Sequence, residues 1–237
     1  MSTENTIFYL RHEDILNKDI LINNIYNNLE NNYYYTDDFS KTFYVDLCSL
    51  GFISTSIINN ETLYLLPEIQ YEYALLYFDQ LHISKKVKKL LNKNDFDFIV
   101  DKDIEIIFEC LEKYHDENWL TKAYKNLIID LYNNPIKTNF EIKTFLVKDK
   151  ITKEPIAGEI GYRIGKTYTS LTGFSSNDKC YRNYGKLQLV LTAKYLQNNS
   201  YIFWNLGHPY MQYKFDLGAI KFSRNSFLEK WFNAVNK

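Results

Sequence analysis

Cysteine is scarce, with Cys48, Cys110 and Cys180 the only three in 237 residues, odd in number and widely spaced. That excludes a disulfide scaffold and a CxxC metal knuckle, and it points to a reducing compartment. The four histidines, His12, His82, His115 and His208, have no ligand spacing, so no metal is expected. No Ser-His-Asp pattern and no P-loop occurs. No apolar run approaches the roughly 20 residues that span a bilayer. The opening Met1-Ser-Thr-Glu-Asn5 lacks both the basic segment and the apolar core of a signal peptide. We therefore expect a cytoplasmic protein with no membrane partner. Charge of one sign is not in excess either: 28 Lys and Arg face 29 Asp and Glu, for a net charge of -1. Bulk attraction to nucleic acid is excluded, while a local basic face is not.

What the chain does have is aromatic surface, 17% of residues with Tyr 21 and Phe 16, beside abundant asparagine and lysine. This is the composition of an AT-rich coding sequence, and it discounts any single tyrosine as a functional signal. The length suits one large domain or two small ones, and we expect two lobes. Residues 7 to 30 read as strand then helix. Phe43, Val45, Leu47 and Leu50 share a helix face that stops at Gly51, and a strand over Phe52 to Ile58 turns at Asn59-Asn60 into Thr62 to Leu66. After the strand Tyr73 to Leu76, Ser84 caps a helix in which Lys85, Lys86, Lys88 and Lys89 oppose an apolar face, with Lys93 at its end. A strand over Phe96 to Val100 and helices over Asp103 to Tyr114 and Lys122 to Tyr132 complete a small N-terminal α/β lobe, residues 1–135.

From Phe140 the pattern changes to long alternating strands, Phe140 to Val147, Ile156 to Ile164 and Thr167 to Thr172, then a helix from Gly185 to Gln197. Tyr201-Ile-Phe-Trp-Asn205-Leu-Gly207-His208 follows as an apolar strand that delivers polar residues at its carboxyl end. Pro209 is placed to start the next helix and Gly218 to stop it. Ile220 to Ser223 then passes into a last amphipathic helix. Strand, strand, strand, helix, strand, helix is the order of an acetyltransferase-like (GNAT-type) half. The fold expected is therefore α+β, with a C-terminal GNAT-like lobe over residues 136–237.

Several segments then resemble, in order, those of the leucyl/phenylalanyl-tRNA–protein transferases, which add an amino acid from charged tRNA to a protein's amino terminus. They are Phe43 to Phe52, Asp79 to Lys89, Phe96 to Asp101, Asn118-Trp119-Leu120-Thr121 with Ala123-Tyr124, Pro155 to Gly161, Thr172 to Ser175 and Gly185-Lys186. Leu217-Gly218-Ala219 through Arg224 to Phe227-Leu228 is the fullest match. Two departures stand out: Leu65 to Tyr71 replaces a tryptophan- and proline-rich stretch, and Asn205 stands where that family has aspartate. Leu206-Gly207 and Met211 to Lys214 are similar instead to the arginyl-tRNA–protein transferases.

The resemblance implies a cleft for the tRNA 3′ end and acceptor stem, an acceptor protein N-terminus as second partner, no cofactor, and a monomer tagging proteins as N-degrons. Transfer to an α-amine needs positioning and oxyanion stabilisation more than acid strength. Asn205, His208 and Gln212 are the catalytic candidates, although a loop histidine often serves only to hold a hydrogen bond. Ser170, Thr172, Phe174 and Ser175 would form the aminoacyl pocket, with Leu187 or Leu191 behind. An apolar pocket suits leucine or phenylalanine, whereas arginine would need a carboxylate; the nearby acids Glu159 and Asp178 read more readily as solvated surface charges, so leucine or phenylalanine is favoured and arginine is the alternative. Trp119 and Tyr124 would stack on the terminal adenosine; Lys85, Lys86, Lys88, Lys89 and Lys186 would track phosphates. The rival readings are an acetyl-coenzyme A acyltransferase, from the partial phosphate loop Arg182 to Leu187, and a non-catalytic binding module.

Overall fold

Three helices begin on a hydroxyl: Ser40, Ser84 and Thr121 accept hydrogen bonds from the backbone of Phe43, Val87 and Tyr124, which fixes where the extended chain turns helical. The computed structural model describes residues 7–115 and 119–236. Met1 to Asn5 and Asn118 of the segments above lie outside the described residues. In chain order the elements are β1 (Phe8–Tyr9), α1 (His12–Leu16), a π-helical segment (Ile20–Tyr26), β2 (Tyr34–Tyr35), α2 (Lys41–Ser49), β3 (Ile53–Asn59), β4 (Thr62–Glu68) and β5 (Glu72–Leu76). Then come α3 (Lys85–Lys93), β6 (Phe96–Val100), α4 (Ile104–Tyr114), α5 (Lys122–Asn133), β7 (Phe140–Asp149), β8 (Pro155–Ile164) and β9 (Thr167–Ser175). The chain closes with α6 (Tyr184–Asn198), β10 (Phe203–Asn205), α7 (Gln212–Asp216), β11 (Ile220–Ser223) and α8 (Arg224–Val235).

The fold is α+β around one seven-stranded sheet of order β11-β5-β10-β9-β8-β7-β6. Two of those strands, β5 and β6, come from before residue 135, so the sheet runs across the division expected at 135/136. Neighbours are antiparallel except β9 and β10, which are parallel and joined by the α6 crossover, as a parallel pair requires. Alternation along the strands divides the core. Leu146 and Tyr162 pack with residues of α2, α4, α5 and α8 on one face, while Phe145, Val147 and Tyr168 pack with Val87 of α3 and the inner side of α6 on the other. Among the described residues no helix is long and apolar enough to cross a membrane.

Two local expectations shift. The β3–β4 turn falls on Asn60 and Glu61, both at positive φ (47° and 63°), one residue beyond the Asn59-Asn60 pair, because a two-residue hairpin turn of this hand needs two left-handed residues. The helix expected to start at Pro209 starts at Gln212. The His208 carbonyl accepts from Lys214 Nζ at 2.6 Å and is thereby drawn away from the helical bond it would have accepted from the Gln212 amide. Gly218 does end this helix: its φ is +110°, and a Cβ there would lie 2.0 Å from the Gln80 carbonyl oxygen, so only glycine fits.

Arg224, at the start of α8, is 1% exposed. Its guanidinium donates to the carbonyls of Ile25, Tyr26, Asn28, Ile69 and Gln70 and lies over the Tyr71 ring. The part of the terminal motif that looked like a family signature is thus a structural knot between segments far apart in the chain.

Candidate active site

β10 pairs with β9 only from Phe203↔Thr167 to Asn205↔Thr169, and it ends there. β9 continues to Ser175 along β8. Past Thr169 the two parallel strands therefore part, and the gap at their carboxyl ends, the usual place for a ligand in such crossovers, opens as a cavity of about 700 Å³. Its walls come from β8 (Gly158, Glu159), β9 (Ser170 to Ser175), the first turns of α6 (Gly185, Lys186, Gln188, Leu189) and the loop and helix after β10 (Leu206, Met211, Tyr213, Lys214). Tyr114 and His115 at the end of α4 complete the rim. The His115 ring bonds the Gly173 carbonyl at 2.9 Å, and Tyr114 stacks on Phe174 at 5.8 Å between centroids.

The floor carries a buried acid. Glu159, 4% exposed, accepts hydrogen bonds from the Tyr168 hydroxyl at 2.8 Å and the Ser170 hydroxyl at 3.4 Å. Burial pushes its carboxyl up to about 7, against the opposing pull of the Tyr168, Gln188 and Ser170 donors. Ser170 is itself held by Trp204 Nε1 at 2.8 Å, and the Gln188 amide by Thr192 at 2.9 Å. The register shift between β8 and β9 falls at Ile160/Gly161, where the missing side chain of Gly161 leaves room for the Tyr168 ring to reach the acid.

The opposite wall carries a buried cation. Lys214 is 7% exposed and donates to the carbonyls of Leu206 and His208 at 2.5 and 2.6 Å. Burial lowers its ammonium to about 8. An ammonium has three donors and these carbonyls take two, and Lys214 itself lines the cavity.

The expected aminoacyl-pocket residues Ser170, Thr172, Phe174 and Ser175 all line the cavity, as does Lys186. Leu187 is fully buried in the core and Leu191 is half-buried; Gln188 and Leu189 face the cavity in their place. Asn205, His208 and Gln212 do not line it. Asn205 is 1% exposed, its Oδ1 accepts from the Gly207 amide at 3.0 Å, and its Nδ2 has no hydrogen-bond partner among the described residues. His208 bonds the buried Glu68 carboxylate at 2.8 Å and stacks on Tyr210. The exposed Gln212 bonds Asp216 at 3.2 Å. Glu68 lies in the Leu65 to Tyr71 stretch that departs from the family sequence, so that departure forms the His208 partner.

Trp119 is half-buried against Tyr124, 5.5 Å between ring centroids. Tyr124 is fully buried, its hydroxyl shared with Tyr44 and Ser54, and as placed it shows no face to a base. Lys85, Lys86, Lys88 and Lys89 are exposed on α3. Lys93 pairs with Asp95, and Lys186 with Asp216 at 3.4 Å. A smaller hollow bounded by Ser84 and Val87 of α3 shares Lys186, Leu189 and Tyr213 with the main cavity, so the lysine helix flanks its mouth.

Sequence reasoning missed Gln188 and Lys214 and set Glu159 aside as a surface charge. An acid in the apolar run Ile156 to Ile164 was the available signal, since a strand covered on both faces tolerates such a residue only for a reason. Lys214, on a five-residue helix, left no periodic trace.

Among curated proteins, the chain is 24% identical over 159 residues to a leucyl/phenylalanyl-tRNA–protein transferase of Pseudomonas putida (strain W619), covering 66% of this chain and 65% of that protein. It is 23% identical, over the same shares, to the one of Pseudomonas fluorescens (strain Pf0-1). The match therefore spans just under two thirds of those relatives' length. Solved structures with a similar course are FemX (TM-score 0.48, 10% identity, 82% of this chain and 70% of that one) and L-PGS from Bacillus licheniformis (TM-score 0.44, 11% identity, 86% and 73%). The family model described as leucyl/phenylalanyl-tRNA protein transferase matches residues 75–231, which take in most of the main sheet, the α3 lysines, the cavity and most of α8. The chain belongs to the leucyl/phenylalanyl-tRNA–protein transferase family.

Proposed function

We propose that this protein moves an aminoacyl group from charged tRNA to the N-terminal α-amine of an acceptor protein, marking it as an N-degron. The observation that carries the reading is the cavity between the parted strands β9 and β10, inside the family match and lined by all four expected pocket residues. At about 700 Å³ it has the size of a small-molecule site and suits an aminoacyl group with the sugar that carries it. The order β7, β8, β9, α6, β10, α7, with its one parallel pair, supports reading this part as an acetyltransferase-type half.

In this reading the acceptor amine attacks the ester carbonyl of the aminoacyl-tRNA, the bond from that carbon to the 3′-terminal ribose oxygen breaks, and the proton the amine loses as the amide forms ends on that ribose oxygen, which leaves as a hydroxyl. Lys214 supplies positive charge to the carbonyl oxygen as it gains negative charge. The loop carrying Asn205 and His208 holds that ammonium through two carbonyls, and Glu68 anchors the loop through His208. The exposed α3 lysines and Lys186 hold acceptor-stem phosphates beside the mouth. Trp119 is the candidate stacking surface for the terminal base.

The test offers the purified protein tRNAs carrying radiolabelled leucine, phenylalanine, arginine or lysine, with peptides beginning in Lys, Arg, Asp or Glu. Label should appear at a peptide amino terminus. Consumption of acetyl-coenzyme A with no transfer from any tRNA would sink the reading.

A further inference from the structure

The cavity floor of an enzyme that handled only apolar side chains would gain nothing from a buried carboxylate, because burying an ionisable group without a charge partner is costly. Glu159 is such a group. Its described neighbours are the neutral donors Tyr168, Ser170 and Gln188, and none of its ion-pair distances to a described lysine, arginine or histidine falls within 4.0 Å. The two lysines on the walls are engaged elsewhere: Lys214 with the carbonyls of Leu206 and His208, Lys186 with Asp216. His115, on the rim, is turned to the Gly173 carbonyl. Tyr213, across the cavity, is raised in pKa first by burial and then by the charge of Glu159. The acid thus faces the open space with hydroxyl and amide donors and no counter-charge.

We propose that the aminoacyl cavity takes a side chain ending in a cation, a guanidinium or an ammonium, with Glu159 as its counter-charge. The proposal rests on the aminoacyl-transfer reading and narrows it. The geometry suits the role. Gly161 lets the Tyr168 hydroxyl reach Oε1, and Trp204 fixes Ser170 beside it, so the acid is held in one orientation before anything binds. Charge-assisted bonds to a fixed carboxylate are the strong ones, and planar guanidinium can make two. Leu189, Leu206 and Phe174 on the walls give the methylene stem of such a side chain an apolar path to the floor.

The experiment compares transfer from arginyl-, lysyl-, leucyl- and phenylalanyl-tRNA by the wild-type chain, Glu159→Gln and Glu159→Met, with circular dichroism checking that each is folded. Wild type should use arginyl- or lysyl-tRNA in preference to the apolar pair. Glu159→Gln should cut that use by about 30-fold or more, as loss of one partner of a buried charge pair does, mainly through KM for the charged tRNA. Glu159→Met should turn the preference toward leucine and phenylalanine. A wild-type preference for leucyl- or phenylalanyl-tRNA, left in place by Glu159→Gln, overturns the cation pocket and leaves aminoacyl transfer standing. No transfer from any of the four overturns both.

Discussion

Gly161 and Tyr168 occupy space that a single Cβ would contest: placed on Gly161, it would lie 2.4 Å from the Tyr168 hydroxyl and 2.2 Å from the Thr169 carbonyl oxygen. The same hydroxyl is the shortest hydrogen bond of Glu159, at 2.8 Å. Gly161→Ala should therefore push Tyr168 off the acid and strain the β8–β9 pairing, lowering stability by about 1–3 kcal/mol as overpacked cores do. Urea unfolding checks this. A midpoint equal to that of the wild type would mean the strands absorb the methyl group without moving the ring.

Lys214 gives a pH signature. Its folded pKa is depressed to about 8 by burial, whereas in the unfolded chain it titrates near 10.4. Between those values the unfolded state binds more protons, so this group makes stability rise with pH from about 8 upward. Buried tyrosines such as Tyr73 and Tyr124, raised in pKa by burial, act in the opposite direction, making stability fall with pH only above about pH 10, where the unfolded tyrosines ionise and the folded ones do not. The clean window is therefore about pH 8 to 9.5. Lys214→Met should flatten the stability slope there and slow transfer by about 100-fold or more if the ammonium meets the oxyanion. An unchanged slope would contradict the buried-ammonium assignment.

Arg224→Lys should not rescue Arg224→Met. The guanidinium serves carbonyls from the π-helical segment, the following loop and the residue just after β4 at once, and an ammonium with three donors cannot replace that fork. Both variants should lose about 3 kcal/mol or more from carbonyls left unpaired in the interior. Denaturant midpoints for the pair decide it, and an Arg224→Lys chain within about 1 kcal/mol of wild type would show that only the charge matters.

Replacing Lys85, Lys88 and Lys89 by Glu should weaken binding of charged tRNA and reduce the slope of log affinity against log salt by about one unit for each phosphate that no longer meets a lysine. These side chains are exposed, so the melting temperature should stay near that of the wild type. A slope unchanged by the triple substitution would remove α3 from the tRNA path.

Local order was largely legible in the sequence. Ser84 before the lysine helix, Gly51 after α2 and Gly218 after α7 mark element ends because each residue type answers a backbone need that neighbours along the chain can show. Ser170, Thr172, Phe174 and Ser175 were likewise within reach, since they end a strand that precedes a crossover helix. What stayed hidden depends on meetings between distant segments. β5 and β6 join the main sheet through partners far along the chain. Glu159 becomes the cavity floor only once β9 and β10 separate above it. Lys214 becomes a buried cation only because two carbonyls of its own loop turn inward. No periodicity records such meetings.

The placement of β5 also sets a timetable for the chain's birth. This early strand lies between β10 and β11, so a ribosome must synthesise as far as β10 before its first edge is covered, and as far as β11 before its second. Until Ser223 leaves the exit tunnel, an apolar strand waits for partners, the situation that chaperones shield. Arrested nascent chains that stop before Phe203 should be cut readily by added protease, and released chains that include β11 should resist it. The late order of the sheet thus couples quality control to completion of synthesis: a truncated product leaves β5 unpaired and is open to degradation.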